Sequence, residues 1–151
     1  MTNRHLAEDL LPQVEKVAAM GIQTIILREK DLKAAEYEKL AREVLLICEK
    51  YQTKCMLHNF SEVAEKLWQD KTIYQPAGIH LTIGKFLALT EEQKKQIPLL
   101  GVSVHSLDEA RQCERLGASY VTAGHIFVMG DNRNNSKDSR YWEHTFVTDN
   151  E

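Results

Sequence analysis

No apolar run in this chain of 151 residues is long enough to serve as a leader or to cross a bilayer, which predicts a cytoplasmic protein without a membrane anchor. Basic charge is also lacking: 19 Lys and Arg against 22 Asp and Glu leave a formal net charge of -3. Such a balance offers no field for a phosphate backbone, so nucleic acid is excluded as a partner and a membrane surface gains no support. The three cysteines, Cys48, Cys55 and Cys113, form no Cys-x-x-Cys pair and stand in apolar settings, as reduced core residues do. The histidines show no His-x-x-x-His spacing, and neither a metal nor another cofactor is expected.

What the chain has is 43% hydrophobic residues, enough for a core, arranged in alternating periods. Leu6 to Met20 carries a helical face through Leu10, Leu11, Val14, Val17 and Ala18 and stops at Gly21. Ile22 to Leu27 is a β-branched run suited to a strand buried on both faces. The alternation continues with a helix over Ala34–Lys50, a strand over Cys55–Asn59, a helix over Ser61–Trp68 and a strand over Gly78–Leu81. Thr90 with Gln93 caps a short helix, Leu99–Val104 is a strand, and Ser106-Leu107-Asp108-Glu109 is a capping box opening a helix that stops at Gly117. Tyr120–Phe127 is expected as the last strand. The expected fold is α/β, built of about five parallel βα units with right-handed crossovers, against the eight of a closed barrel.

In parallel α/β folds, residues just past each strand line the functional face. Arg28, Lys30, His58, Asn59, His80, Ser103, His105, Gly124 and His125 all fall there. Cations, imidazoles and a hydroxyl together suit a small phosphorylated substrate. Taken singly, each has a plainer role: Arg28 and Lys30 can pair with Glu29, and His80 between Ile79 and Leu81 can be a satisfied core residue. Recurrence at strand ends is what favours a shared site.

Ile25-Ile26-Leu27-Arg28-Glu29-Lys30-Asp31-Leu32, Gly78-Ile79-His80-Leu81, Leu100-Gly101-Val102-Ser103-Val104-His105-Ser106 and Gly124-His125-Ile126-Phe127, in that order, resemble the thiamine phosphate synthase and TenI superfamily. The resemblance covers residues 2–127 and implies a (β/α)8 TIM barrel, incomplete here, that works on a thiazole phosphate in thiamine biosynthesis. It implies His125 as the catalytic group of a TenI-type tautomerase, with Arg28, Lys30, Asn59, His80, Ser103 and His105 binding substrate. An imidazole titrating near neutrality suits the proton transfer that aromatises the thiazole. For the synthase branch the resemblance is poorer: Ile26 replaces its Gln, and Phe60 and Lys85 replace carboxylates associated with magnesium. The family's first, seventh and eighth strands are expected to be missing from this sequence. Binding with little or no turnover is therefore expected, as is a homo-oligomer or other partner covering open barrel edges.

Residues 128–151 are expected as a separate, irregular segment. Gly130, Asp131, Asn132, Arg133, Ser136, Asp138, Ser139 and Arg140 resemble the signature of type I signal peptidases, a serine endopeptidase family, and Phe127-Val128 suits a fusion join. Those enzymes need a Ser nucleophile and a Lys base, and the Ser-Met and Lys-Arg dipeptides that supply them are absent from this chain. The tail is expected to pack loosely, with Tyr141–Val147 docking as a strand on an open sheet edge. A non-enzymatic, oligomerising half-barrel is the remaining alternative.

Overall fold

A computed structural model describes residues 1–6, 9–123, 125–126 and 147–148. A 3-10 turn (Arg4–Leu6) leads to α1 (Leu10–Ala19), β1 (Thr24–Leu27), α2 (Ala34–Tyr51), β2 (Lys54–His58), α3 (Ser61–Gln69) and β3 (Gly78–Thr82). Then come α4 (Ile83–Leu87), α5 (Glu91–Gln96), β4 (Leu100–Val104), α6 (Leu107–Arg115) and β5 (Tyr120–Ala123). The short strands β6 (His125–Ile126) and β7 (Val147–Thr148) follow.

The main sheet has five strands, all parallel and ordered β1-β2-β3-β4-β5. Sequential order means that every crossover winds the same way, so the helices collect on one face and the other becomes the inner surface of a half-barrel. Alternate strand residues confirm the division. Ile25, Leu27, Cys55, Leu57, Ile79, Leu81, Leu100, Val102 and Val104 join the core with Tyr37, Ala41, Val44 and Leu45 of α2, Val63 and Leu67 of α3, Phe86 of α4 and Cys113 of α6. The opposite face carries Met56, His58, His80, Gly101, Ser103, Tyr120 and Thr122, because strand side chains alternate.

Local chemistry sets the element ends. Gly21 and Gly117 close α1 and α6 with φ of +84° and +96°, a left-handed conformation that costs glycine little. At the start of α5 the Thr90 hydroxyl accepts from Gln93 N at 3.2 Å while the Gln93 side chain accepts from Thr90 N at 2.9 Å. The expected reciprocal box at Ser106 is only half present. Ser106 accepts from Glu109 N at 3.2 Å, but Glu109 turns its carboxylate to His105 N at 2.6 Å, one residue earlier.

Other expectations shift. The first helix begins at Leu10, not Leu6, and β1 begins at Thr24, not Ile22. The expected strand Tyr120–Phe127 is divided: β5 ends at Ala123, and β6 pairs antiparallel with β7, Ile126 with Val147 and His125 with Thr148. The tail strand therefore forms a two-stranded sheet with β6 and does not extend an edge of the main sheet. The expected join at Val128 and the signature from Gly130 to Arg140 lie outside the described residues. Helix α4 was not apparent in the sequence; its single turn is anchored by the fully buried Phe86.

Candidate functional site

The candidate site lies on the inner face and at the carboxyl ends of the strands. Backbone register sets His58, His80, Gly101 and Tyr120 side by side across β2 to β5, with Thr82, Ser103 and Thr122 as the next same-face row toward the strand ends. The His58 and His80 rings stack at 5.6 Å between centroids. His80 Nε2 lies 2.8 Å from Ser103 Oγ and 3.3 Å from Thr122 Oγ1, and its Nδ1 lies 3.0 Å from the Tyr120 hydroxyl. His80 is thus fully buried with both ring nitrogens partnered, and its partners are groups of the candidate site.

Gly101 makes this network possible. A Cβ built there would stand 2.3 Å from Tyr120 Cζ, 2.4 Å from its hydroxyl oxygen and 2.6 Å from His80 Nδ1. Any larger residue would drive the phenol and the imidazole apart.

Both rings are held neutral. Burial pushes His58 down to about 4, helped by its neighbour His80 and by the positive field of Arg28, Lys30 and Lys85. Burial also brings His80 to about 4, with Arg28 adding to the effect. Burial raises the Tyr120 phenol to about 12, so it remains protonated. Neither Arg28 nor Lys30 pairs with Glu29, contrary to the plainer reading of the sequence. Glu29, 2% exposed, accepts from Arg4 N through both oxygens at 3.1 Å. Among the described residues Arg28 and Lys30 form no ion pair.

Asn59 ends β2 with φ of 64° and ties the next turn together. Its N–H donates to His80 O at 3.0 Å, its side-chain oxygen accepts from Thr82 N at 3.0 Å, and its carbonyl accepts from Lys85 Nζ at 2.7 Å. It therefore shapes the loop and positions Lys85. His105 leaves the cluster: its ring is exposed and faces Glu109, with Nδ1 3.5 Å from Oε2. The His125 backbone lies in β6, and its side chain is outside what the structure describes.

Sequence reasoning did not place Tyr120 or Thr122 in the site, and it noted Lys85 only as the replacement of a carboxylate. The alternation Tyr120-Val121-Thr122-Ala123 was the available signal for the first two, since it puts both on the face that carries Ser103. Phe60 and Lys85 do not suit a divalent ion. The Phe60 ring stacks on Tyr37 at 4.0 Å, and Lys85 brings a cation where the related enzymes' carboxylate is expected.

The family described as thiamine monophosphate synthase matches residues 1–138. This chain belongs to it. A putative thiamine-phosphate synthase 2 of Aquifex aeolicus is 32% identical over 120 residues, covering 80% of this chain and 61% of that protein. A putative thiamine-phosphate synthase of Geobacter sulfurreducens is 30% identical over 130 residues, 84% of this chain and 58% of that one. The thiamine-phosphate synthase of Bacillus licheniformis is 28% identical over 130 residues, 84% and 55% respectively. The solved thiamine phosphate pyrophosphorylase from Pyrococcus furiosus superposes with a TM-score of 0.66 at 23% identity, over 83% of this chain and 58% of that one. This member of the thiamine monophosphate synthase family thus spans between 55% and 61% of the length of these relatives. Among the described residues no helix is long and apolar enough to cross a membrane.

Proposed function

We propose that this chain binds the phosphorylated thiazole of thiamine biosynthesis with little or no turnover. The observation that carries the reading is the row of buried His58 and His80 with Ser103 at the strand ends, with Lys85 Nζ held at Asn59 O beside it and the positive field of Arg28, Lys30 and Lys85 acting on His58. Among the described residues Arg28, Lys30 and Lys85 form no ion pair with a carboxylate, and cations so placed at this strand-end mouth suit a phosphate dianion directly. Phe60 and Lys85 argue against a synthase reaction with a diphosphate leaving group, because they supply no ligand for a divalent ion. His125 is the group proposed to shuttle a proton if the thiazole is aromatised, an assignment that rests on the resemblance of Gly124-His125-Ile126-Phe127.

Calorimetry with thiazole phosphate tests the reading. Saturable binding that weakens about tenfold or more in Arg28→Ala or Lys30→Ala is expected, since a charge-assisted hydrogen bond is worth about 1.5–3 kcal/mol. Heats identical in the parent and in a triple Ala variant of Arg28, Lys30 and His125 would overturn it.

A second reading, an oligomerising half-barrel, draws on one specific observation. The exposed Met1, Val17 and Ile22 line a groove beside β1 with Leu10, Val14 and Ile25. A compact monomer at high concentration in sedimentation would remove it. Nothing among the described residues favours the peptidase alternative. Processing of a signal peptide, lost on changing Ser139 or Asp138, would be needed to restore it.

A further inference from the structure

His80 is fully buried, and its two ring nitrogens face different chemistry. On the Nδ1 side stands one phenol, Tyr120, at 3.0 Å. On the Nε2 side stand two alkyl hydroxyls, Ser103 at 2.8 Å and Thr122 at 3.3 Å. A neutral imidazole has one N–H and one bare nitrogen, so the neighbours decide which is which. A phenol, with a pKa of about 10 in water, is a much stronger donor than an aliphatic hydroxyl. The bare nitrogen therefore belongs opposite Tyr120, and the N–H belongs opposite Ser103 and Thr122.

We infer that Tyr120 is a positioning residue whose hydroxyl locks His80 in the form protonated on Nε2, making the Ser103 and Thr122 hydroxyls donors toward acceptor oxygens of the ligand. Proton accounting closes the argument. The Tyr120 hydrogen goes to Nδ1, and the Nε2 hydrogen goes to Ser103 Oγ, shared with Thr122 Oγ1. Both small hydroxyls then accept from the ring and keep their own hydrogens. Among the described residues neither hydrogen has another acceptor, and both side chains are only half-buried, open to a ligand at the strand ends. The opposite form would spend a Ser103 or Thr122 hydrogen on the ring and turn a lone pair outward, which repels an anion. Register and packing support the Tyr120–His80 contact independently of titration. Gly101 sits between His80 and Tyr120 in the same row, and a Cβ there would meet both at 2.6 Å or less. The glycine keeps open the path along which phenol and imidazole meet.

This inference deepens the proposed thiazole phosphate site, but its test needs no ligand, so the two fail separately. Nitrogen NMR of ring-labelled histidines, assigned through bonds in the ligand-free parent chain, reports which nitrogen of His80 is bare. A bare Nδ1 is expected, with Tyr120→Phe moving His80 toward the other form or a mixture. A protonated Nδ1 in the parent, or an unaltered His80 pattern in a folded Tyr120→Phe, would overturn the assignment. Should Tyr120→Phe fail to fold, incorporation of fluorotyrosine makes the phenol a stronger acid while keeping its shape. The Nδ1 resonance is then expected to move further from the bare-nitrogen position, and an unmoved resonance would overturn the role given to Tyr120.

Discussion

The two faces of the parallel sheet are made by the same strands, one residue apart, under different physical demands. The helix side is held by volume: Leu57, Ile79, Leu81 and Val102 are buried among Val44, Leu67 and Phe86, and any side chain of the right size and apolarity would serve. The inner side is held by pairing: His80 is equally buried, yet its place depends on Ser103, Thr122, Tyr120 and the missing side chain of Gly101. Burial alone thus does not separate the apolar core from the candidate site, whereas strand parity does.

Substitutions on opposite faces break that comparison most sharply. Leu57→Ala or Leu81→Ala is expected to cost about 2–5 kcal/mol in denaturant unfolding. Thiazole phosphate affinity per folded molecule should remain unchanged, and a loss of affinity matching the loss of stability would blur the distinction.

Between pH 7 and about 4.5 acid should act chiefly on the inner face, the paired carboxylates such as Asp70, held at about 2, responding at lower pH. His58 and His80 sit at about 4 in the fold against 6.5 unfolded, so the unfolded chain takes up protons first as pH falls. Stability is therefore full above about pH 6.5 and declines down to about pH 4, by roughly 3 kcal/mol per ring at most. The neighbouring rings repel each other once charged, so the two losses are not simply additive. Urea midpoints at pH 7 and 4.5 should differ less in His58→Asn than in the parent; an equal difference would place the acid sensitivity elsewhere.

Gly101→Ala adds a single methyl group on the inner face and is expected to cost about 1–3 kcal/mol. It should also release the Tyr120–His80 contact, visible as the same change in the His80 ring nitrogens as Tyr120→Phe. A folded Gly101→Ala with parental nitrogen shifts would show that the strands open without separating the two rings.

The smallest effect on stability belongs to the rim. Lys85→Ala is expected to shift unfolding by less than about 0.5 kcal/mol, while thiazole phosphate binding weakens. Retained affinity in that variant would leave the anion to Arg28 and Lys30.

The sequence shows the helix side well because periodicity reports burial. The strands and helices fall close to their expected places from α2 to α6, and Thr90 and Gln93 cap α5 as their spacing predicts. Arg28, Lys30, His80 and Ser103 were legible as strand-end residues, and register sets His80 beside Gly101 and Ser103 beside Thr82. What sequence could not show is sideways pairing. Tyr120 stands 40 residues from His80, and their contact exists only because Gly101 intervenes in the row. His105 misled because it follows β4 directly, yet the helix start behind it captures both its amide and its ring through Glu109. The single turn of α4 carries a glycine in five residues, too little for local propensity to register.

Tyr37 carries a consequence for the shape of the mouth. Between β1 and β2 the ladder places Lys54 N on Gln23 O at 2.9 Å, and the same alternation would bring His58 N to Leu27 O. Instead the phenol of α2 stands in that rung, accepting from His58 N at 2.9 Å and donating to Leu27 O at 2.6 Å. One oxygen atom acts as a spacer, so the two strands part just before Arg28 and His58 without leaving a polar group unsatisfied. The aperture between the cation and the imidazole is therefore gauged from the helix layer outside the sheet, by a residue that never faces the ligand.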